Sequence, residues 1–539
     1  MCATAMRTTD PLAAGRAALA RADWSEARAC FEEAATNRDA GEAWEGVSRA
    51  AWWQGDQEAT LAARERAYRA YRRAGDPCGA ARTAMWLASD HLDFRGDDAV
   101  AGAWLRRARA LVDDHEPCAE QGWVTLLEAD IALAERDSAT AVRRAREAVD
   151  LARRLSDADV EVVGLAILGS ALVMSGPIEE GLRRLDECAA LAVGEDFADM
   201  AAPGWALCHT VSSCAGVGDF ERAEQWCRAM HTWSTTWRAR HFFGMCRTAY
   251  GEVLATGGDW PSAEQELVSA MEDLRTTRPA LAAPTAVRLG RLRMRQGDVE
   301  EARALFDAAL PLSQAVVALG ELDLAAGDAA AATDAAERAL RRLGDQSVLD
   351  RFPALELLAC ARAAAGDAES AHDAAAEVER EAVSLGTPYM RGRGRLVRAQ
   401  VLSAAGDHDG ARQAAEDAAD LFTASSAPYD AARARMILSA ALEALGRPER
   451  AAAEARAARD AFVLLGGRPI AGPDAGEELS PREREILRLV ARGRSDAEIA
   501  EQLFLSPHTV HRHVANIRTK LRTPSRAAAV AYATRHGLL

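Results

Sequence analysis

Apolar and small residues recur at helical spacing along most of the chain, in amphipathic runs that each follow a Gly-Asp dipeptide or a close equivalent. An alanine stands four residues after nine of the ten turn aspartates, one helical turn into the run. Successive turn positions, with degenerate copies at Pro177 and Arg447, are mostly 39 to 42 residues apart. The pattern therefore predicts a helical hairpin repeated about twelve times. The aspartates are Asp23, Asp56, Asp97, Asp137, Asp219, Asp259, Asp298, Asp328, Asp367 and Asp407.

Each residue of the repeated turn has a physical role. Glycine ends the first helix because the next position often needs a left-handed backbone. Aspartate caps the second helix, and the alanine lets the two helices approach closely. One hairpin buries too little apolar surface alone, so neighbours must stack into a solenoid. The interval from Asp298 to Asp328 is only 30 residues and contains Pro311, which predicts a truncated repeat there.

This pattern resembles tetratricopeptide-like repeats, in a forty-residue form, over residues 10–465. We expect an all-α protein: a tetratricopeptide-like α-solenoid of about twelve helical hairpins, followed by a smaller helical domain. The resemblance implies a surface for interaction and does not identify its partner.

The repeat pattern stops at residue 465. Residues 466–478 are rich in glycine and proline and predict a flexible linker. Residues 479–539 then show four short helical segments with serine or Ser-Pro starts. Ser495 and Glu498 form a capping-box pattern at the second start. Two short helices joined by a tight turn are typical of a helix-turn-helix unit.

Charge divides the chain at the same place. The formal net charge of −16 is the sum of −20 before residue 477 and +4 from there onward. Residues 502–539 contain no acidic side chain, six basic ones and four of the eleven histidines. Duplex DNA repels carboxylates and attracts cations, so this segment suits a surface that faces phosphates.

The C-terminal segment resembles the DNA-binding domain of the LuxR family. The resemblance implies that the helix from Pro507 to Leu521 enters the major groove, and that the helix from Ser525 mediates dimerisation. Its helical spacing makes Val510 a core position as well as a candidate contact. The matching positions include Leu479, Pro481, Glu483, Leu487, Gly493, Ser495, Glu498, Ile499, Ala500, Leu503, Ile517 and Leu521. The candidate DNA-binding residues are Ser506, Thr509, Val510, His511, Arg512, His513, Asn516 and Lys520.

Two departures from the family pattern concern these residues. His511 stands where the family usually has lysine, so a fixed charge is replaced by a group that is mostly neutral at pH 7. Arg522 and Thr523 replace the usual Gly-Val after the third helix, and the arginine adds a candidate phosphate contact.

Lys520 is the single lysine among the 65 basic residues. A phosphate-binding loop, a Schiff-base enzyme and a protein kinase each need a lysine elsewhere in the chain. We therefore expect a regulator without the ATPase domain of the large ATP-binding LuxR regulators. No set of nucleophile, base and acid stands out, so neither an enzyme nor a cofactor is expected.

The ten cysteines are scattered and form no C-x-x-C pair, so we expect reduced, packed thiols. The cysteines and histidines between Cys208 and Cys246 match no zinc spacing, and no metal is expected. The N-terminus has no apolar signal core, and the best uncharged run, Val162 to Met174, is too short to span a membrane. We expect a cytoplasmic protein with no membrane segment.

All twelve tryptophans lie before residue 261. Trp226, Trp233, Trp237 and Trp260 are weak candidates for an effector pocket. The alternative, which we favour, is that these side chains fill gaps between packed helices.

Together these features predict a sequence-specific transcriptional regulator that binds double-stranded DNA as a homodimer. Its solenoid would receive an unknown effector, which is a protein, a peptide or a small molecule. Electrostatic competition between the acidic solenoid and DNA for the basic module is one mechanism. The alternative is a tetratricopeptide-like interaction scaffold whose C-terminal module does not read DNA.

Overall fold

The computed structural model describes residues 10–113, 115–194, 197–237, 243–344, 347–467, 481–503, 507–520 and 525–535. The chain divides into two compact units. The larger is drawn from the first 469 residues, and the smaller is formed mainly by residues 470–539. Every regular element in the described ranges is a helix.

The larger unit contains twelve helical hairpins in its described residues, as the repeat pattern predicts. The helices are α1 Pro11–Ala20, α2 Trp24–Asn37, α3 Gly41–Gln54, α4 Gln57–Ala74, α5 Pro77–Arg95, α6 Asp98–Val112, α7 Ala119–Ala134, α8 Ser138–Leu155, α9 Ala158–Ser175, α10 Ile178–Gly194, α11 Ala201–Gly216, α12 Phe220–Trp237, α13 Phe243–Gly257, α14 Trp260–Thr277, α15 Ala282–Gln296, α16 Val299–Ala308, α17 Ser313–Ala325, α18 Ala329–Leu343, α19 Val348–Ala364, α20 Ala368–Leu385, α21 Pro388–Ala404, α22 His408–Ala424, α23 Pro428–Ala444 and α24 Pro448–Leu465. A 3₁₀ helix, Pro279–Leu281, precedes α15. The predicted truncated repeat is confirmed, since α16 and α17 have only 10 and 13 residues.

The hairpin turns have the predicted chemistry. The glycine before the aspartate takes a left-handed backbone, with φ of 82° at Gly366 and 80° at Gly406. Ala22 and Arg136 hold the same position with φ of 56° and 68°, a conformation that costs energy for a residue with a Cβ. Seven turn aspartates accept a hydrogen bond from the backbone N–H three residues on and so cap the second helix. They are Asp23, Asp56, Asp137, Asp219, Asp259, Asp367 and Asp407.

Contacts between distant repeats wind the solenoid back on itself. The Gln57 side-chain amide donates to the carbonyl oxygen of Thr277, 220 residues away, over 2.6 Å. The Thr387 hydroxyl donates to the carbonyl oxygen of Val217 over 2.6 Å, across 170 residues. Residues four to six repeats apart therefore meet, which marks the length of one superhelical turn.

Two buried arginines each lie over a tryptophan ring and pair with an aspartate. The guanidinium of Arg64 lies 5.0 Å from the ring centre of Trp86, and its Nε is 2.5 Å from the Asp90 carboxylate. Arg278 lies 4.9 Å from the ring centre of Trp52 and pairs with Asp93 at 3.5 Å. Because Arg278 comes from the next superhelical turn, this second pair helps to set how the turns meet. The pair is weak evidence for added stability, because the cost of removing two charges from water offsets their attraction.

Helix α9 is the one described helix that is long and apolar enough to cross a membrane. Its most apolar 18-residue window is 83% buried inside the solenoid. The helix is hydrophobic all round because both neighbouring hairpins cover it, which is the pattern of a core helix.

One cysteine prediction is wrong. Cys208 in α11 and Cys246 in α13 form a disulfide, with their Cα atoms 5.3 Å apart. They lie 38 residues apart, close to one repeat, so neighbouring hairpins bring the same position of each repeat together. That Cα separation lies within the usual disulfide range. The remaining described cysteines are free thiols.

Replacement of Gly366 by alanine tests the cost of the left-handed turn. No atom lies within 4 Å of the added Cβ, so only backbone strain acts. We expect a loss of about 1 kcal/mol, seen as a lower midpoint in chemical denaturation. The matched control is Gly257→Ala, an equally open position at the last residue of α13 that does not have a left-handed backbone, where the change should be neutral or stabilising. Equal effects of the two substitutions would contradict the role of the turn.

Candidate nucleic-acid interface

The smaller unit is built from four helices around one apolar core. The helices are α25 Pro481–Ala491, α26 Asp496–Leu503, α27 Pro507–Lys520 and α28 Arg526–Arg535. All four contribute to the core, whose buried members are Ile486, Leu487, Leu489, Val490, Ile499, Ala500, Val510, Val514, Ile517, Ala529 and Ala533. A core that draws on every helix fixes the angle between α26 and α27, the pair predicted to form the helix-turn-helix.

The predicted capping box at the start of α26 is confirmed. The Glu498 carboxylate accepts hydrogen bonds from the backbone N–H of Ser495 over 2.8 Å and from its hydroxyl over 2.9 Å. The Ser495 hydroxyl accepts in turn from the Glu498 N–H over 3.3 Å. These hydrogen bonds, with a smaller contribution from Arg494, lower the pKa of Glu498 to about 2.

Two arginines connect the ends of these helices. The Arg526 guanidinium, at the start of α28, contacts the Asp496 carboxylate and the Arg494 carbonyl oxygen. The Arg482 guanidinium in α25 donates to the carbonyl oxygen of Leu503 over 2.8 Å. Both ends of α26 are therefore held, which positions the following helix.

Helix α27 has a buried face and an exposed face. Val510, Val514 and Ile517 are at most 9% exposed and pack into the core at helical spacing. His511 and Asn516 are exposed on the opposite side. Val510 must therefore be removed from the candidate DNA contacts, because a fully buried side chain cannot reach a base edge.

The other predicted contact residues are placed as follows. The His511 side chain is 76% exposed, and its Nδ1 lies 3.5 Å from the Asp496 carboxylate. His513 is half-buried, and Asn516 is exposed. Ser506 lies outside the described residues, as do the side chains of Thr509, Arg512 and Lys520, although the backbone of these three is helical. The exposed imidazole and amide can donate to and accept from phosphates or base edges.

Comparison with known proteins agrees with this geometry. Residues 477–533 match the family described as bacterial regulatory proteins, luxR family. The C-terminal module is a LuxR-type helix-turn-helix domain. The match takes in all four helices of the small unit except the last two residues of α28.

Relatives match over the same short region. The transcriptional regulatory protein LiaR of Bacillus subtilis is 44% identical over 63 residues, which is 12% of this chain and 30% of that protein. The response regulator VraR of Staphylococcus aureus is 46% identical, with the same coverage. An HTH-type transcriptional regulator of Mycobacterium tuberculosis is 46% identical over 59 residues, 11% of this chain and 7% of that protein. The chain thus matches less than a third of the length of each of these relatives.

Solved structures resemble the chain over a larger share but at low similarity. A Rap protein complexed with competence and sporulation factor gives a TM-score of 0.40 at 14% identity, covering 71% of this chain and 98% of that one. The apo form of the quorum sensor NprR from B. thuringiensis gives 0.39 at 12% identity, covering 63% and 97%. Likeness of this degree carries no argument about function.

The candidate effector tryptophans lie in packed surroundings where they are described. Trp260 is 2% exposed, and its indole N–H donates to the carbonyl oxygen of Ala255 over 2.9 Å. Trp226 donates to the Asp186 carboxylate over 3.1 Å, and Trp233 packs against two core clusters. The side chain of Trp237 lies outside the described residues. The packing interpretation fits Trp260 best, since that side chain offers no surface to a ligand.

An open groove elsewhere on the solenoid was not predicted. It has a volume of about 540 Å³ and lies between α4 and α6, lined by Tyr68, Ala99, Val100, Ala103, Trp104 and Arg107. The Arg107 guanidinium donates to the Tyr68 hydroxyl over 2.8 Å, and the Tyr68 and Trp104 rings are 5.1 Å apart. Tyr68 and Trp104 are 36 residues apart, which is nearly one repeat. This spacing was the feature of the sequence from which their contact could have been predicted.

Replacement of Glu498 by glutamine tests the capping box. Since the folded-state pKa is lowered from 4.5 to about 2, the carboxylate stabilises the module above the unfolded value, and that contribution is lost as the pH falls. We expect the variant of a 477–539 fragment to melt at a lower temperature than wild type at pH 7. The difference should vanish between about pH 4.5 and pH 2.

The control for this experiment is Glu485→Gln, which removes a carboxylate that is paired with one exposed arginine at 2.6 Å. We expect a smaller effect at pH 7, since an exposed ion pair contributes little. Equal melting temperatures for wild type and the Glu498 variant at pH 7 would rule out the capping role.

Proposed function

We propose that this protein is a sequence-specific DNA-binding transcriptional regulator whose helical-repeat region receives a signal. The observation that carries the proposal is that α27, in a LuxR-type module, has one buried apolar face and one exposed polar face. Its apolar side chains pack into the core, while His511 and Asn516, polar residues whose side chains the structure describes, are exposed to solvent. A helix anchored in this way can enter the major groove without disturbing its own domain.

The charge of the module supports binding to duplex DNA. Residues 502–539 carry basic side chains and no acidic ones, so the segment from α27 onward attracts phosphates. The single acidic group close to His511 is Asp496 among the described pairs, and Arg526 neutralises it. We propose Thr509, His511, Arg512, His513, Asn516 and Lys520 as the DNA-contacting residues, with Ser506 at the start of the helix.

The LuxR-type module also supports proposals for the oligomeric state and the location of the protein. We propose a homodimer formed through α28, since two modules would read two half-sites of one operator. DNA binding places the protein in the cytoplasm, where the chromosome lies. Catalysis forms no part of the proposal, and two of the relatives described above, LiaR and the Mycobacterium tuberculosis protein, are described as transcriptional regulators.

The groove between α4 and α6 is the position we propose for the effector. Tyr68, Val100 and Trp104 offer apolar surface, and Arg107 places a cation at the same groove. A ligand with an apolar body and an anionic group would use both parts.

Substitution of Lys520 and Arg512 tests DNA binding. From their positions on α27, Lys520→Ala should weaken binding about equally for all duplexes and reduce the salt slope by about one. Arg512→Ala should cost about 1–3 kcal/mol and also change sequence preference. Selection of binding sites from a random duplex pool, followed by titration of the selected site at several salt concentrations, measures both.

The control is Arg154→Ala, which removes one exposed arginine from the solenoid helix α8. It should leave affinity and salt dependence unchanged. If the full chain selects no sequence and neither α27 substitution changes its affinity for duplexes, the protein is instead an interaction scaffold whose C-terminal module does not read DNA.

A further inference from the structure

Two cysteines and a glutamate meet where neighbouring hairpins begin. Cys78 is the second residue of α5, Cys118 immediately precedes α7, and Glu120 is the second residue of α7. Their ligand atoms, two thiol sulfurs and a carboxylate oxygen, all lie within 4.8 Å of one another. All three residues are half-buried, and no ion is present.

The repeat explains why these residues meet. Asp76-Pro77-Cys78 and Glu116-Pro117-Cys118 are variants of one motif, set 40 residues apart. Since α5 and α7 pack against each other, the starts of the two helices lie side by side. The next repeat has Ala158 at this position, so the paired cysteines are confined to these two hairpins.

From this geometry we propose that Cys78, Cys118 and Glu120 bind one zinc ion between the starts of α5 and α7, with a water molecule as the fourth ligand. Two zinc–sulfur bonds of about 2.3 Å at a tetrahedral angle place the sulfurs about 3.8 Å apart. The observed spread of 4.8 Å or less therefore needs only small side-chain movements. Thiolate and carboxylate ligands together suit zinc better than calcium or magnesium, which prefer oxygen ligands.

The surroundings match the charge of such a complex. Zinc bound by two thiolates and one carboxylate carries a net charge of −1. The N-termini of α5 and α7 both face this anion with their positive ends. Arg82 lies 2.5 Å from Oε1 of Glu120 and also holds Glu45 at 2.6 Å. No described residue is hydrogen-bonded to Oε2 of Glu120, so that oxygen can bind the metal while Arg82 orients the carboxylate.

The test uses the untagged full chain, reduced and stripped of metal with a chelator. Titration with Co²⁺ as the spectroscopic probe, and then with Zn²⁺ as competitor, should show one tightly bound equivalent with thiolate-to-cobalt charge-transfer absorption. Elemental analysis after dialysis against zinc gives the stoichiometry. We expect Cys78→Ser and Cys118→Ser each to lose this equivalent, and Glu120→Gln to weaken binding by about tenfold or more. Cys30→Ser, which removes a half-buried free thiol from α2, should keep it.

A second measurement on wild type does not depend on variants that fold. Zinc should slow alkylation of Cys78 and Cys118, followed by mass spectrometry, and leave the rate at Cys30 unchanged. Three results would overturn the proposal: no stoichiometric zinc in the full chain, zinc retained by both serine variants, or a Cys78–Cys118 disulfide that persists under reducing conditions with zinc present. None of these results bears on DNA binding, so the site stands or falls separately from the regulatory function.

Discussion

In each hairpin the two helices approach closely one helical turn after the turn aspartate. The solenoid depends on this constraint. All nine alanines that stand four residues after a turn aspartate are completely buried. Four residues after the degenerate turn at Pro177 stands Gly181, where an added Cβ would lie 2.7 Å from the carbonyl oxygen of Gly169. Four residues after Asp56 stands Thr60, whose hydroxyl donates a hydrogen bond to the Asp56 carbonyl oxygen over 2.7 Å. The space between the helices therefore limits the side chain to a few atoms. A larger residue would push the hairpin apart, and every later repeat would inherit the displacement.

Once the hairpin is fixed, the repeat length determines which side chains meet across neighbouring hairpins. The pairs Arg82–Glu120, Trp226–Asp186 and Tyr389–Asp430 are separated by 38, 40 and 41 residues. The Cys208–Cys246 disulfide follows the same rule with 38. A residue at one position is thus a neighbour of its counterpart one repeat later, whatever the chemistry of either. The sequence contained this information, and our prediction of reduced cysteines failed because it considered short zinc and disulfide motifs rather than the repeat spacing.

Contacts between superhelical turns do not follow from the spacing of one repeat. The pairing of Arg278 with Asp93 and the packing of Trp260 against Tyr429 join residues about 170 to 185 positions apart. Their register depends on a small rotation added at each hairpin, including the shortened one formed by α16 and α17. Small differences in side-chain size accumulate over the four or five hairpins between these residues. A local pattern therefore predicts the hairpins but not which residues meet between superhelical turns.

In the small unit, by contrast, the core is formed by residues close together in the sequence. The helical spacing of Val510 and Ile517 predicted two residues of the buried face of α27, although Val510 was also kept as a candidate DNA contact.

The same reasoning changes the meaning of the acidic solenoid. Ten aspartates stand at hairpin turns, and seven of them accept the capping hydrogen bond. Asp76 and Asp157 cap first helices of their hairpins in the same way. Nine of these carboxylates therefore accept a capping hydrogen bond at a helix start, where the exposed N–H groups favour a negative charge. Much of the net −20 is then a product of repeat architecture rather than a surface selected for a cationic partner. The C-terminal module uses serine for its recognised capping box, at Ser495, and so starts a helix without adding a carboxylate at the cap itself. The acidic residues of the module stop at Glu501, so the segment that we propose to face DNA is basic while the solenoid, capped by aspartate, is acidic.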